Sequence, residues 1–343
     1  MKKAKKLLSI ILVFTMILLF PIYCFASSGL GATTTLSSGS YYYIRNKNSG
    51  LYLDAENDGN FNVIQYDHHG ALNQTWKLVQ ISTNVYRLES QNPYYQYQGR
   101  KCLSVSESTD NVDLYYMSST LNTQKWNITL NSSDGTFTIK SLWDNKVLQV
   151  ENSSTSPTAD VIKSTSTGSN SQKWYFEKIP APNTTKNSLE TMFPDAKFWN
   201  HSTNVANNPN LIGNSECTHH GTGVCANSNG VYDGACGCNS YYSSIQCNGF
   251  ARYMSKKVYG SDIPSWTKSV DPSSLYFVKP GDYIRYNGHS VFVVGVKPDV
   301  YTILVAECNY GPDCIIKWYR EISIFDIMDT FAHIYKSPYV FIS

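Results

Sequence analysis

The sequence predicts a multi-domain protein: an all-β unit built from three repeats, followed by an α+β domain. Three observations lead there. A Q-x-W tripeptide recurs three times at near-constant spacing, and short alternating strand-like segments accompany each copy. After Lys178 the repeats stop, and from about Leu189 the character changes, a Cys- and Gly-rich stretch leading into an apolar pattern of helical period. At 343 residues the chain can hold two domains that each bury a core.

The first segment is a candidate for removal. Lys2, Lys3, Lys5 and Lys6 precede an apolar run from Leu7 to Ile22, and the small residues Ala26, Ser27 and Ser28 follow. That is the plan of a secretory signal peptide over residues 1–26, cleaved after Ala26; a retained membrane anchor is the alternative reading. No other segment is apolar for long enough to cross a bilayer, so no membrane span is expected after cleavage. A secreted location, extracellular or cell-surface associated, is expected. Without the four leader lysines the 28 basic residues fall to 24 against 26 acidic ones. A formal charge of −2 excludes a general attraction to nucleic acid or to anionic membrane. Of the nine cysteines, Cys24 leaves with the leader, Cys102 lies in the first half, and seven fall between Cys217 and Cys314. Export permits disulfides, and the clustering assigns them to the second domain.

The repeats read as follows. Gln74-Thr75-Trp76, Gln124-Lys125-Trp126 and Gln172-Lys173-Trp174 carry tryptophans 50 and 48 residues apart. Each repeat has a strand-like segment, Tyr41 to Arg45, Val85 to Glu89 and Phe137 to Lys140. Each then has a second apolar beat, at Leu51-Tyr52-Leu53, Cys102 to Val105 and Val147 to Val150. Short alternating strands between Gly, Asn, Asp and Ser turns argue an all-β barrel-like unit closed around a pseudo-threefold axis, with each Trp in the shared core.

From Ser38 to Lys178 these residues resemble the ricin B-type lectin family, a β-trefoil that binds carbohydrate, and the domain is placed at residues 38–178. The resemblance implies a sugar site made of an Asp after the apolar beat, a Gln, an aromatic platform and an Asn before the Q-x-W glutamine. A carboxylate and amides take paired hydroxyls, and an aromatic face covers the C–H side of the ring. The first repeat offers Asp54, Gln65, Asn73 and Gln74, with Tyr66 or His68 as platform. The second has Ser104 and Thr123 at the Asp and Asn positions, and the third has Gln149 and Ser171. One surviving pocket is therefore expected in the first repeat.

Residues 179–188, beginning Ile179-Pro180-Ala181-Pro182, read as a linker stiffened by proline, and 189–343 as the second domain. Cys247, Phe250, Ala251, Met254 and Val258 share one helical face, which sets Cys247 at or near a helix N-terminus. The exposed N–H groups and dipole there favour the thiolate. Lys279-Pro280-Gly281-Asp282 turns into two apolar strands, His289 to Val296 and Tyr301 to Cys308. Alternation puts Glu307 and Asn309 on one side of the second strand and Cys308 on the other. A helix-borne Cys facing a sheet with His and then Glu/Asn is the arrangement a thiol nucleophile requires. His333 is the rival base; His289 is preferred because Gly288 exposes its strand start and a Pro-Gly-Asp turn precedes it.

Gln246-Cys247, Pro280-Gly281-Asp282, Gly288-His289 and Glu307-Cys308-Asn309 resemble the CHAP branch of papain-like peptidases and amidases, over roughly residues 240 to 320. NlpC/P60 enzymes, which usually show Asp-Cys at the nucleophile, are the second resemblance. The likeness implies an α+β papain-like cysteine hydrolase acting on peptidoglycan amide bonds. It implies Cys247 as nucleophile, His289 as general base and acid, Glu307 as the orienting residue and Asn309 as an accessory polar group. The Cys247 backbone N–H and Gln246 would hold the oxyanion. A Cys-rich insertion with Cys217, His219, His220, Cys225, Cys236 and Cys238 departs from a minimal domain of this kind. Disulfides are its preferred reading and structural zinc the alternative; Cys308 and Cys314 are candidates to bridge a hairpin. No cofactor is expected. The partners expected are glycan for the first domain and peptidoglycan or a protein for the second. The competing functions are a lectin-targeted protease or acyl transferase, and a non-enzymatic glycan-binding adhesin.

Overall fold

The computed structural model describes residues 29–57, 59–97, 99–197, 240–241, 244–261, 263–308, 315–337 and 340–341. The expected leader at residues 1–26, the Cys/His segment 217–238, Asn309 and Cys314 lie outside the described residues. The expectations placed on them are therefore neither met nor refused. Among the described residues no helix is long and apolar enough to cross a membrane.

Six strands close the first domain into a barrel. Tyr41–Asn46 pairs with Trp174–Ile179, from Tyr41 opposite Ile179 to Asn46 opposite Trp174. The ring continues through Thr136–Ser141, Trp126–Asn131, Val85–Ser90 and Trp76–Ser82, and returns by Tyr42 opposite Trp76. Three hairpins cap one end: Tyr52–Ala55 with Val63–Tyr66, Arg100–Val105 with Val112–Tyr116, and Val147–Val150 with Val161–Ser164. Single bridges at Asn62–Asp113, Ile64–Asp160 and Asn111–Ile162 knit the hairpins together. A six-stranded barrel capped by three hairpins is a β-trefoil.

The Q-x-W signature has the same physical job in every repeat. Trp76, Trp126 and Trp174 are fully buried, and their indole N–H groups donate to the Leu53, Leu103 and Leu148 carbonyls at 3.0, 3.0 and 3.1 Å. Each indole thus fills the core and satisfies a hairpin carbonyl that burial would otherwise orphan. The glutamine two residues earlier pins the preceding loop. Gln74 Oε1 accepts from the His69 N–H, Gln124 Oε1 from Ser118 and Gln172 Oε1 from Thr167, while each side-chain amide donates to the Asp67, Tyr116 and Thr165 carbonyls respectively.

The expected linker is shorter than its sequence bounds. Ile179 still belongs to the last barrel strand, and a helix forms over Lys186–Met192. Thr185 caps it, accepting from the Ser188 N–H, and Leu189 and Phe193 one turn apart bury into the second core. Only 180–185 is left between the two.

The second region is a helix on a six-stranded antiparallel sheet. Its strands run, edge to edge, Thr267–Ser269, Ala332–Lys336, Tyr283–Tyr286, His289–Val296, Thr302–Cys308 and Ile316–Ser323. The helix Gln246–Tyr259 lays Phe250, Ala251, Met254 and Val258 against Phe292, Val294 and Ala306 of one sheet face. Ile284, Val291, Val293, Ile303 and Val305 pack on the other face under Ile324 and Ile327. Asp282 of the Pro-Gly-Asp turn is fully buried and serves the fold. It takes the Lys279 ammonium at 2.7 Å and the Ser337 N–H at 2.8 Å. Lys279 in turn donates to the Ser337 carbonyl, so neither buried charge is left uncompensated.

The two domains touch through the first repeat. Val340 joins Tyr43, Tyr52 and Ile179 in one apolar cluster. The Phe277 ring stacks on His69, with centroids 4.3 Å apart and planes 19° from parallel.

Candidate functional site

Three short-range devices bring the thiol and imidazole together. Cys247 is the second residue of a 14-residue helix, so its sulfur sits where backbone N–H groups are unpaired and the dipole is positive. Tyr286 and His289 face each other across a two-residue hairpin whose central Asn287 and Gly288 both have positive φ, 47° and 76°. An Asn-Gly pair accepts that backbone with little strain and matches the strand twist, which sets His289 as the first residue of its strand. The helix's Phe250 and Ala251 dock on the sheet that carries His289, and so fix the distance between the two groups.

The His289 side chain lies within hydrogen-bonding reach of Cys247 and, on its other side, of Glu307, with Nε2 2.8 Å from Glu307 Oε2. Nδ1 is then the ring nitrogen left for sulfur. Glu307 is fully buried, and Arg320 grips both its oxygens: Nε on Oε1, and Nη2 on Oε2 at 2.7 Å. Arg320 Nη2 also donates to Tyr286 Oη at 2.9 Å. Behind the thiol, Tyr283 Oη donates to Asn248 Oδ1 at 3.1 Å and sits 2.8 Å from Ser290 Oγ, which accepts from Arg285 Nη1 at 2.9 Å.

The electrostatics separate charge between the first two groups. Burial pushes the Cys247 thiol up, but the His289 hydrogen bond and charge, the Ser290 N–H and the Arg285 charge outweigh it and lower its pKa. Burial pulls His289 down, yet Cys247 and Glu307 raise it to about 9. Glu307 is held below the ordinary carboxylate range, burial being outweighed by the bonds to His289 and Arg320. A thiolate beside an imidazolium, backed by a fixed carboxylate, can attack a carbonyl carbon and protonate a leaving group.

Sequence reasoning placed Cys247, His289 and Glu307, and the fold brings all three into one line. Gln246 opens the helix, but its side chain, like Asn309, is outside the described residues. His333 is elsewhere: it pairs with Arg285 at its strand position, and its ring meets Phe331 and Tyr335. Arg320, Tyr283 and Ser290 were not foreseen. Arg320 lies on the next strand opposite Val305, beside a register shift between Val305 and Glu307. No sequence pattern announces that shift.

The first-repeat sugar residues also gather, but they face one another. Asp54 is 2% exposed; its Oδ1 accepts from Asn73 Nδ2 at 2.7 Å and its Oδ2 lies 3.0 Å from His69 Nε2. Gln65 is buried, accepting from Ser49 Oγ and donating to the Ser154 and Ser156 carbonyls. The Gln74 amide is taken by its own loop. His68 packs on Tyr43 and Tyr52 at 4.8 and 4.6 Å, inside the cluster that receives Val340. Tyr66 is 6.0 Å from His69, whose other neighbour is Phe277. The second domain therefore covers the place where a sugar would meet Asp54. The cavity beside it, between Asn73 and Val278, is about 20 Å³, the size of a water molecule.

Comparison with known proteins finds the first domain. Residues 40–176 match the profile of the ricin-type beta-trefoil lectin domain. The designed threefold-symmetric protein ThreeFoil is similar at 32% identity over 40% of this chain and 97% of that one, with a TM-score of 0.36. A Macrolepiota procera ricin B-like lectin, solved with lactose, is 21% identical over 42% and 98% of the two chains, with a TM-score of 0.35. The Rhizoctonia solani agglutinin is 24% identical over 43% and 99%, with a TM-score of 0.35. A comparison with curated proteins returned no match.

Proposed function

Because residues 40–176 belong to the ricin-type β-trefoil lectin family, we propose that the chain is a secreted, carbohydrate-binding cysteine hydrolase that cuts amide bonds of peptidoglycan. The observation that carries the hydrolase half is the line Cys247, His289, Glu307, with a lowered thiol and an imidazole raised to about 9. Export is supported by the leader-like residues 1–26, and a papain-like kinship by a helix-borne thiol facing a sheet-borne imidazole.

In this reading the Cys247 thiolate attacks the amide carbonyl carbon. The C–N bond breaks, the His289 imidazolium gives its proton to the departing amine, and a thioester remains. Water then attacks the thioester with His289 taking its proton, and the acid leaves as the thiolate–imidazolium pair is restored. Glu307 holds the ring's orientation and favours its charged form. Peptidoglycan suits both halves because it is a sugar strand bearing peptides, and a glycan-bound trefoil raises the local concentration of those peptides.

The test is incubation with purified cell walls, reading new amino groups and released fragments by mass spectrometry. Wild type is expected to release fragments and Cys247→Ala none. Equal release by both would reject Cys247 as nucleophile, and glycan binding without any thiol-dependent release would leave an adhesin.

A further inference from the structure

The trefoil has three equivalent corners, where the turn of one capping hairpin meets the barrel turn of the next repeat. Hydrogen bonds cross each of them. Between repeats one and two, Asn92 Nδ2 donates to Asn57 Oδ1 at 2.7 Å and to the Ala55 carbonyl at 2.9 Å. Between repeats three and one, Asn48 Nδ2 donates to the Ser153 carbonyl at 2.9 Å. The corner between repeats two and three is crossed by Lys146 Nζ on Asp110 Oδ1 and holds a cleft of about 300 Å³ beside that bond, at the lower end of the roughly 300–1,000 Å³ of small-molecule sites. Among the described residues its lining comes from the trefoil alone.

The cleft is furnished for a polyol. Trp143 stands at its rim on the turn Ser141–Lys146, 47% exposed, and nothing in the fold accepts a hydrogen bond from its indole nitrogen among the described residues. The Lys163 ammonium lies at the floor, its side chain 4% exposed, and uses two of its three donors on Asp144 Oδ2 at 2.8 Å and the Ser106 carbonyl at 2.6 Å. Asp110 gives one oxygen to Lys146 at 2.5 Å, and its other oxygen has no side-chain partner among the described residues, the side chain being 60% exposed. The exposed indole face, and the Lys163 donor that no described residue takes, are the groups a ligand in the cleft would meet.

We propose that this cleft binds one or two rings of a neutral glycan. The C–H face of a ring stacks on Trp143, and its hydroxyls donate to Asp110 and accept from Lys163. Three carboxylates against two ammonium groups line the cleft, which disfavours an anionic sugar. The inference rests on the lectin reading of the trefoil and moves its site away from Asp54.

The experiment is a glycan array carrying neutral and acidic structures, probed with the full chain as wild type, Trp143→Ala, Trp143→Phe and Asn73→Ala. The expected result is neutral-glycan binding that Trp143→Ala weakens roughly ten-fold or more, as loss of a stacked ring contact requires, and that Trp143→Phe largely retains. Equal unfolding midpoints of wild type and Trp143→Ala establish that the fold is intact. Undiminished binding by Trp143→Ala, or loss confined to Asn73→Ala, overturns the proposal while leaving the lectin reading standing. Binding confined to acidic glycans also overturns it, and no glycan binding by wild type overturns both.

Discussion

Replacing Arg320 by Met tests the charge logic of the second domain. Glu307 has no solvent exposure, whereas the Arg320 side chain keeps 20%. The substitution keeps the bulk of the side-chain stem but leaves Glu307 with His289 as its remaining partner among the bonds described above. Breaking a buried ion pair from one side costs about 3–5 kcal/mol, and since water can enter beside a partly exposed Arg320 the low end, about 3 kcal/mol, applies. For a domain of this size that corresponds to a fall of about 6–12 °C in midpoint. Scanning calorimetry of the full chain measures it, with Glu307→Gln and the double variant completing a cycle. Glu307→Gln alone is expected to cost less, because Arg320 can turn to water. The double variant is expected to be more stable than Arg320→Met, because no unpaired carboxylate stays buried. A midpoint change within the roughly 0.5 kcal/mol of an ordinary surface substitution, or strictly additive costs, would refute the account.

Two further outcomes follow from the same geometry. At pH 7 iodoacetamide is expected to alkylate Cys247 well ahead of Cys102, which burial pushes up to about 12. A lowered thiol pKa puts the reactive thiolate at lower pH, and His289→Ala, leaving burial unopposed by the imidazole, should shift Cys247 labelling to higher pH; peptide mass spectrometry showing the two cysteines alike would count against the pair. In the trefoil, Trp126→Ala is expected to cost about 3–5 kcal/mol in denaturant unfolding, since it empties a fully buried site and orphans the Leu103 carbonyl; a loss under about 1 kcal/mol would mean the indole is not a core element.

The barrel was legible in the sequence because its signals are local and repeated. Each Q-x-W needs only its own loop and its own hairpin carbonyl, so the tripeptide carries its structural reason with it. Cys247 was legible for a similar reason, since the helical face through Phe250, Ala251 and Met254 fixes where the helix begins. What the sequence concealed depends on pairing between distant segments. Arg320 reaches Glu307 only through a strand register interrupted by a bulge, which has no residue signature. Asp54 and Asn73 have the right chemistry for a sugar, but their types do not reveal that His69 takes an oxygen of Asp54 and that Phe277 covers His69. The Asp of the Pro-Gly-Asp turn was equally opaque, because Lys279 and Ser337 make it an anchor only after the sheet is assembled.

A ring of three equal parts must break its symmetry somewhere, and here the exit point does so. The last barrel strand ends at Ile179, opposite Tyr41 at the start of the first repeat, and only 180–185 separate it from the next helix. So short a lead cannot carry the following domain around the ring, which makes the first repeat its neighbour by default. The corner between repeats two and three is lined, among the described residues, by the trefoil alone, free to diversify its rim without disturbing that junction.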